Sequence, residues 1–384
     1  MSDAPSGPTS PVRVGFDATS LLEPLTGVGT VADALLRGLA ARSDVEVHAF
    51  AVSWRGRGRL ADAVPAGATV HGRPLPARLA RMAWAHADHP TVGALVGRVD
   101  VVHGPNFVVP PGGRAAEVVT VHDLTALRFP EMCTPDVLEW PGLLRRALRR
   151  GAWVHAVSAS VADEVREAFP EAGERVVAVP NGLAPPLPEG PATDAAAGRA
   201  LAGAERYVLA LGTVEPRKDL PTLVAAFDAL AAADASLRLV VAGADGLAAD
   251  ELAAAVAAAA HGDRVVRRGR VDDHQRAALL RGASVLAYPS RYEGFGLVPL
   301  EAMAVGTPVV ATRVGAIAEV AGEAALLVPE RDRDALADAL HAVLHDPLIA
   351  ERLIDDGTSR AAAFTWDAAV DGVVELYRRA VDAR

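Results

Sequence analysis

Short apolar runs alternate with helical stretches along almost the whole chain, and this alternation restricts the fold more than any other feature. In the first half the runs are Val12–Phe16, 45–52 (VEVHAFAV), Val99–His103, Val118–Val121, 153–158 (WVHAVS) and 175–182 (RVVAVPNG). The pattern restarts with 207–213 (YVLALGT), 237–243 (LRLVVAG), 265–271 (VVRRGRV), Ser284–Tyr288, the VVAT run after Pro308, and 324–329 (AALLVP). Among these, Val99–His103, Val118–Val121 and Ser284–Tyr288 fit strands covered on both sides, which means parallel sheet. Parallel neighbours need crossovers, and the intervening segments have helical spacing: Thr30–Ala41, 136–150, Ser160–Phe169, Leu220–Ala232, a helix to Ala260, 273–281, Leu297–Val305, 332–345, 348–363 and Trp366–Arg379. The fold class predicted is α/β, with two Rossmann-like, doubly wound parallel sheets.

A length of 384 residues is enough for two full cores. The Pro/Ala/Gly-rich stretch 183–204 separates the two periodic regions and reads as a linker with room for a short helix. The expected division is a polar tail over 1–11, a first domain over 12–182, that linker, a second domain over 205–365, and a terminal helix over 366–384. A net charge of −10 argues against a nucleic-acid partner. A single cysteine, Cys133, excludes an internal disulfide and fits a reducing compartment. With no apolar run long enough to span a bilayer and no signal-peptide pattern at residues 1–11, a cytoplasmic location is expected.

The richest stretch is 289–313, PSRYEGFGLVPLEAMAVGTPVVATR. It reads as a strand end, a glycine loop, a helix from Leu297 and a further strand. Pro299 fits only in the first helical turn, and Gly306 ends the helix. The amides of Gly296, Leu297 and Val298 are expected at the helix start, where free N–H groups and the dipole suit a phosphate. Gly294 and Gly296 let a ligand approach the backbone closely. Glu293 and Glu301 flank this pocket at Glu-x7-Glu spacing. Carboxylates beside a phosphate site repel it unless they bind hydroxyls, and a nucleotide sugar carries phosphate between two hydroxyl-bearing ends. Taken alone, the stretch is equally a glycine turn with two solvated glutamates.

Arg217 and Lys218 follow the 207–213 run, at the carboxyl end of a strand, where open α/β sheets collect ligands. Of 38 basic residues only Lys218 is a lysine. Arg can grip a diphosphate bidentately and Lys acts as a point charge; a surface turn is the plain alternative. In the first half, Gly27-Val-Gly29 resembles a phosphate loop or a simple tight turn. His103 and His122 end two strands, Asp123 adjoins the latter, and Asp17 ends the first strand. With Asn106, the residues Asp17, His103 and Asp123 are candidates for the acceptor side. The arginines at 55, 57, 59, 73, 78 and 81 suit an anionic acceptor, a membrane surface or simply solvent. No CxxC pair occurs and the strand-end motifs carry no Asp-x-Asp, so no metal is expected.

Taken together, Arg217-Lys218, Glu293-x7-Glu301, GFDATSLLEPLTGVGT, VVTVHDLTALRFPE and LGTVEPRKDLPTLVAAF resemble the retaining glycosyltransferases of family 4 with GT-B architecture. The resemblance covers nearly the whole chain. It implies two Rossmann-like domains facing a cleft, a nucleotide-sugar donor held mainly by the second, a glycan, glycolipid or small-molecule acceptor by the first, and a terminal helix that returns to the first. Carried over by position, Arg217 and Lys218 neutralise the diphosphate, Glu293 binds the donor sugar, and Phe295, Gly296 and Leu297 offer amides. Glu301 takes the ribose diol, Val271 meets the base, Gly29 closes over the phosphates and His122 sits by the reacting sugar. Thr30 departs from the pattern, since many relatives have Arg there. The implied reaction is metal-independent transfer with retention, GDP-mannose favoured over UDP-sugars, with no resident cofactor. Alternatives are a nucleotide-sugar epimerase of the same architecture and a non-catalytic nucleotide-sugar-binding protein.

Overall fold

The computed structural model describes residues 10–22, 27–54, 56–73, 76–183 and 187–384. Residues 1–9 of the expected tail, 23–26, Arg55, 74–75 and 184–186 of the expected linker lie outside the described residues. The chain divides into two compact units. One runs to Gly182 and includes Thr365–Arg384; the other is Leu183–Phe364.

The first unit is built on seven strands: β1 (Val12–Asp17), β2 (Val45–Phe50), β3 (Thr69–His71), β4 (Val101–Gly104), β5 (Ala116–Val121), β6 (Trp153–Ala156) and β7 (Val176–Ala178). Every pairing is parallel, in the order β3-β2-β1-β4-β5-β6-β7. The second unit has six: β8 (Tyr207–Leu211), β9 (Arg238–Ala242), β10 (Val265–Gly269), β11 (Val285–Tyr288), β12 (Val309–Thr312) and β13 (Leu326–Val328). They too are all parallel, in the order β10-β9-β8-β11-β12-β13. The doubly wound reading therefore holds in both halves. In each sheet the order reverses beside the first strand, between β1 and β4 and between β8 and β11. A crevice opens at the carboxyl ends of such strand pairs.

Central strands such as β5, β8 and β11 are buried at every residue, which is why they lack polar alternation. The sequence reading missed β3, a mostly exposed edge strand, and the helices Ala77–His86 and Ile317–Ala321. The Trp366–Asp382 helix packs Val370, Val373, Val374, Leu376 and Tyr377 into the core of the first unit. Each such side chain contributes about 1.5–3 kcal/mol, so the end of the chain is core rather than a tail. The 183–204 segment is not simply a linker. Its Ala195–Ala202 helix brings Gly198 against the backbone of Ala278, and Arg281 donates to the carbonyls of Pro188 (2.7 Å) and Thr193 (3.0 Å).

Candidate active site

The carboxyl ends of β8 and β11 each lead into a loop and then a helix. Beyond β8, Pro216–Lys218 forms a 3-10 turn, Asp219 takes the left-handed conformation (φ 46°), and the Leu220–Ala233 helix begins. Beyond β11, residues 289–296 form the loop that enters the Leu297–Ala304 helix. The amide of Arg291 donates to the carbonyl of Arg217 at 2.7 Å and locks the loops together. Their side chains converge. Glu293 Oε1 accepts from Arg217 Nη1 at 2.5 Å and from Lys218 Nζ at 2.6 Å. Lys218 Nζ also donates to the Tyr288 hydroxyl at 2.5 Å. Glu293 is held from behind: Ala316 N–H donates to its carbonyl at 3.0 Å, and a Cβ on Gly315 would lie 2.2 Å from that oxygen.

Lys218 and Glu293 are both buried. Burial pushes the Glu293 carboxyl up, but the charges of Arg217 and Lys218 overcome it and hold the group at about 2. Burial pulls the Lys218 ammonium down to about 8, against the attraction of Glu293 and with repulsion from Arg217. At neutral pH the cluster thus holds two cations and one anion. A net positive charge fixed at a strand switch point is suited to an anionic ligand.

The loop completes this environment. Gly296 caps the Leu297–Ala304 helix at φ 108°, a conformation that an L side chain rarely adopts, and a Cβ there would meet Ile317 Cδ1 at 2.7 Å. Leu297 and Val298 fall in the first turn, where helix geometry offers the N–H no internal acceptor. Gly294 precedes the cap, and Phe295 is buried edge-on to Phe364 at 5.8 Å. Glu301, one turn further along, is 2% exposed. Its Oε2 forms an ion pair with Arg276 Nη2, while its Oε1 is buried without a hydrogen-bond partner. Burial pushes this carboxyl up to about 7, against the pull of Arg276. Val271 lies just beyond β10, two residues before the helix that carries Arg276. Arg276 and Tyr288 escaped the sequence reading. Tyr288 ends a predicted strand and was open to notice; Arg276 had no signal.

The first-unit candidates divide differently. His103 is fully buried, and both ring nitrogens are engaged, by the Tyr377 hydroxyl at 2.6 Å and by Thr120 Oγ1 at 2.8 Å. Thr120 continues to His155 Nδ1 at 3.0 Å, whose Nε2 donates to the carbonyl of Val179 at 3.0 Å. His103 is thus a core residue, not an acceptor contact, and burial holds it well below the usual histidine range. Asp17 is committed to a local turn, accepting from the amide of Thr19 at 2.9 Å and from its hydroxyl. Gly27 and Gly29 are not a loop. They open the Gly27–Ala40 helix, with Gly29 buried in its first turn.

His122 does stand at the carboxyl edge of the first sheet. Its Nε2 donates to the carbonyl of Pro105 at 2.8 Å, which leaves Nδ1 as the acceptor nitrogen. Burial lowers its pKa, so the ring is neutral at pH 7. Asn106 Oδ1 is buried without a partner, and Phe107 adopts a left-handed φ of 57° with its ring stacked on Trp140 at 4.5 Å. Asp123 Oδ1 accepts from Thr125 N at 2.8 Å. Beside it lies a mostly apolar pocket lined by Phe107, Leu124, Leu127, Trp140 and Leu144.

Two patterns that metal sites also use do occur in the sequence. Asp332 and Asp334 make an Asp-x-Asp, but Asp332 caps the Arg333–His345 helix and Asp334 pairs with Arg333. His341 and His345 form an HxxxH pair on that helix, stacked at 4.2 Å. Among the described residues no group of three His, Cys, Asp or Glu side chains is arranged to hold a metal ion.

A buried Arg–Lys–Glu cluster beside a helix start, at the switch point of the second of two Rossmann-like sheets, has the chemistry of a site for an anionic ligand. Comparison with known proteins narrows that class. The profile of glycosyl transferases group 1 matches residues 194–360, and that of glycosyltransferase family 4 matches residues 25–185. The O-antigen chain mannosyltransferase B of Escherichia coli is 27% identical over 96% of this chain and 100% of its own. A D-inositol 3-phosphate glycosyltransferase of Frankia alni is 31% identical over 81% of this chain and 82% of its own. The structure of sucrose-phosphate synthase from Thermosynechococcus elongatus superposes with a TM-score of 0.73 at 22% identity, covering 98% of this chain and 100% of that one. The chain belongs to the family 4, group 1 glycosyltransferases and has their GT-B fold.

Proposed function

We propose that this enzyme moves a hexose from a nucleoside diphosphate sugar to an acceptor hydroxyl, with retention at the anomeric carbon and without a metal ion. The observation that carries the reading is the Arg217–Lys218–Glu293 cluster beside the first turn of the Leu297–Ala304 helix. When the anomeric carbon–oxygen bond breaks, negative charge builds on the leaving diphosphate. Cations already fixed in place stabilise that charge without reorganising. Arg217 and Lys218 meet this requirement because Glu293 holds both. The same carboxylate accepts hydroxyl hydrogen bonds from the donor sugar. The amides from Phe295 to Val298 add donors, Val271 meets the base, and Glu301 Oε1, buried and unpartnered, accepts from the ribose diol.

The incoming hydroxyl forms its bond to the anomeric carbon on the face that the diphosphate leaves, and its proton passes to a diphosphate oxygen. No protein nucleophile takes part. The acceptor is a glycan, glycolipid or small molecule bound at the carboxyl edge of the first sheet, near His122, Asn106 and Asp123, with peripheral contact to a membrane as one way of reaching a lipid-linked acceptor. Among the described residues no helix is long and apolar enough to cross a membrane. GDP-mannose is the favoured donor, a reading supported by the Escherichia coli relative being a mannosyltransferase, and UDP-sugars come next.

The test is to incubate the enzyme with GDP-mannose, and separately with UDP-glucose, in EDTA with candidate acceptors, and to read the product linkage by NMR. An α-linked product that forms in EDTA supports the reading. An inverted product, or activity that only a divalent cation restores, contradicts it. Free sugar released as a 2-epimer would reassign the chain as an epimerase.

A further inference from the structure

Glu301 has an unusual setting for a binding group. It is 2% exposed, and only one of its two oxygens has a partner. A buried carboxylate with one bare oxygen is costly, and the ordinary outcome is protonation. Arg276 stands against that outcome. Its guanidinium pairs with Oε2 and leaves Oε1 open.

Arg276 also has a rigid base. The Asp273–Gly282 helix that carries it is fixed at its start by a capping box, in which Asp272 accepts from Gln275 N at 2.8 Å and Gln275 Oε1 accepts from Asp272 N at 3.1 Å. Further along, the Tyr207 hydroxyl donates to the carbonyl of Leu279 at 2.7 Å. Arg281 ties the end of the helix to the carbonyls of Pro188 and Thr193.

We propose that Arg276 is a positioning residue of the nucleotide site: its guanidinium takes Oε2 of Glu301, favours the ionised form and orients the group so that Oε1 takes the hydroxyls of a ribose. This rests on the reading that the cluster binds a nucleoside diphosphate. The charged groups that act on Glu301 are Arg276, which lowers its pKa, and Asp273 of the same helix, which raises it. The other elements packed on the Leu297–Ala304 helix bring little to compete. Tyr288 of β11 is taken by Lys218, and Arg360 of the Pro347–Ala362 helix is bonded to the carbonyls of Val320 and Glu319, the latter the acidic residue of the Ile317–Ala321 helix.

Removal of the guanidinium charge leaves a carboxyl that is neutral at pH 7 and ionises only at higher pH. A neutral carboxyl is a poorer acceptor for a diol than a carboxylate. The signature is therefore a loss of preference for ribose that alkali restores.

The experiment is calorimetric titration of GDP, 2′-deoxy-GDP, UDP and 2′-deoxy-UDP into the wild type, Arg276→Met, Arg276→Gln and Arg276→Lys, from pH 6 to 9. The ratio of ribo to deoxy affinity cancels any pH effect on the phosphate contacts. For the nucleotide that binds, the wild type should prefer the ribo form by about tenfold or more at pH 7.5, the size of a charge-assisted hydrogen bond. Arg276→Met and Arg276→Gln should lose that preference at pH 7 and recover it toward pH 9, whereas Arg276→Lys should keep it. Arg276→Gln retains a polar side chain should the Met variant fail to fold. If the wild type discriminates and both neutral variants keep its preference at every pH, or lose affinity for both forms alike, the role given to Arg276 is wrong. If the wild type binds neither nucleotide, the nucleotide reading itself falls.

Discussion

The two sheets place ionisable residues at equivalent edges and use them in opposite ways. In the first unit most are consumed by the fold. His103 is bonded to Tyr377 and Thr120, Asp17 closes a turn with Thr19, and Glu117 is gripped by Arg150 at 2.8 Å and by the amide of Gly112 at 2.8 Å. In the second unit Arg217, Lys218 and Glu293 are paired with one another, the sum is a positive charge, and Glu301 keeps an oxygen unpartnered. A satisfied buried network specifies a core, whereas a charged cluster with spare capacity costs stability and implies a ligand. Strand-end position alone does not separate the two cases; partner count and net charge do.

The largest expected effect that would break this contrast is on turnover. Lys218→Ala or Arg217→Ala should cut glycosyl transfer by about 10²–10³-fold, the usual loss when one preorganised group is removed, with the circular dichroism of the folded protein unchanged. Unchanged turnover at saturating donor would put the cluster on the same footing as the first-unit network. Next in size, Glu301→Ala should weaken nucleoside diphosphate binding, whereas Glu293→Ala should mainly lower the rate of sugar transfer. Calorimetry and steady-state kinetics on both variants separate these, and equal losses in both would refute the division.

In the first unit the expected change is in stability rather than catalysis. Tyr377→Phe leaves His103 Nδ1 without its partner and should cost about 1–3 kcal/mol in urea unfolding, with kcat unaltered for the folded enzyme. A kcat loss as large as that of Lys218→Ala would move His103 back into the site. The smallest effect concerns Asp17. Burial raises its carboxyl to about 6, so the folded state binds more protons than the unfolded state between the ordinary Asp value and pH 6. Stability therefore falls as pH rises through that window and the cost is fully present above it. Asp17→Asn should raise Tm at pH 7.5 relative to the wild type and leave it nearly unchanged at pH 4. A Tm difference that does not vary with pH would show that Asp17 does not titrate there.

The features legible in the sequence were those that local patterns encode. The runs that became β8 and β11, the helix start after Gly296 and the strand-end placing of Arg217-Lys218 and Glu293 all arise within short segments, where propensity and strand–loop–helix order decide. The features hidden from it depend on distant partners. His103 reads as a strand-end ligand until Tyr377, 274 residues later, is seen to occupy it. Arg276 lies 25 residues before Glu301, in a helix whose sequence gives no hint of a partner. Gly27-Val-Gly29 reads as a phosphate loop or tight turn because it falls between a strand and a helix, yet both glycines occupy the first helical turn, where the backbone is only partly committed. The edge strand β3 was invisible because a mostly exposed strand of three residues carries too few apolar positions to register.

The central claim is that the second unit binds a nucleoside diphosphate through Lys218 and its neighbours. Isothermal titration of GDP and UDP into the wild type and Lys218→Ala, in EDTA at pH 7.5, tests it most directly. One nucleotide should bind the wild type without metal, and Lys218→Ala should lose about tenfold or more of that affinity, as expected when a charged hydrogen-bonding group is removed. Equal affinity in the two proteins, or binding only after a divalent cation is added back, would contradict it.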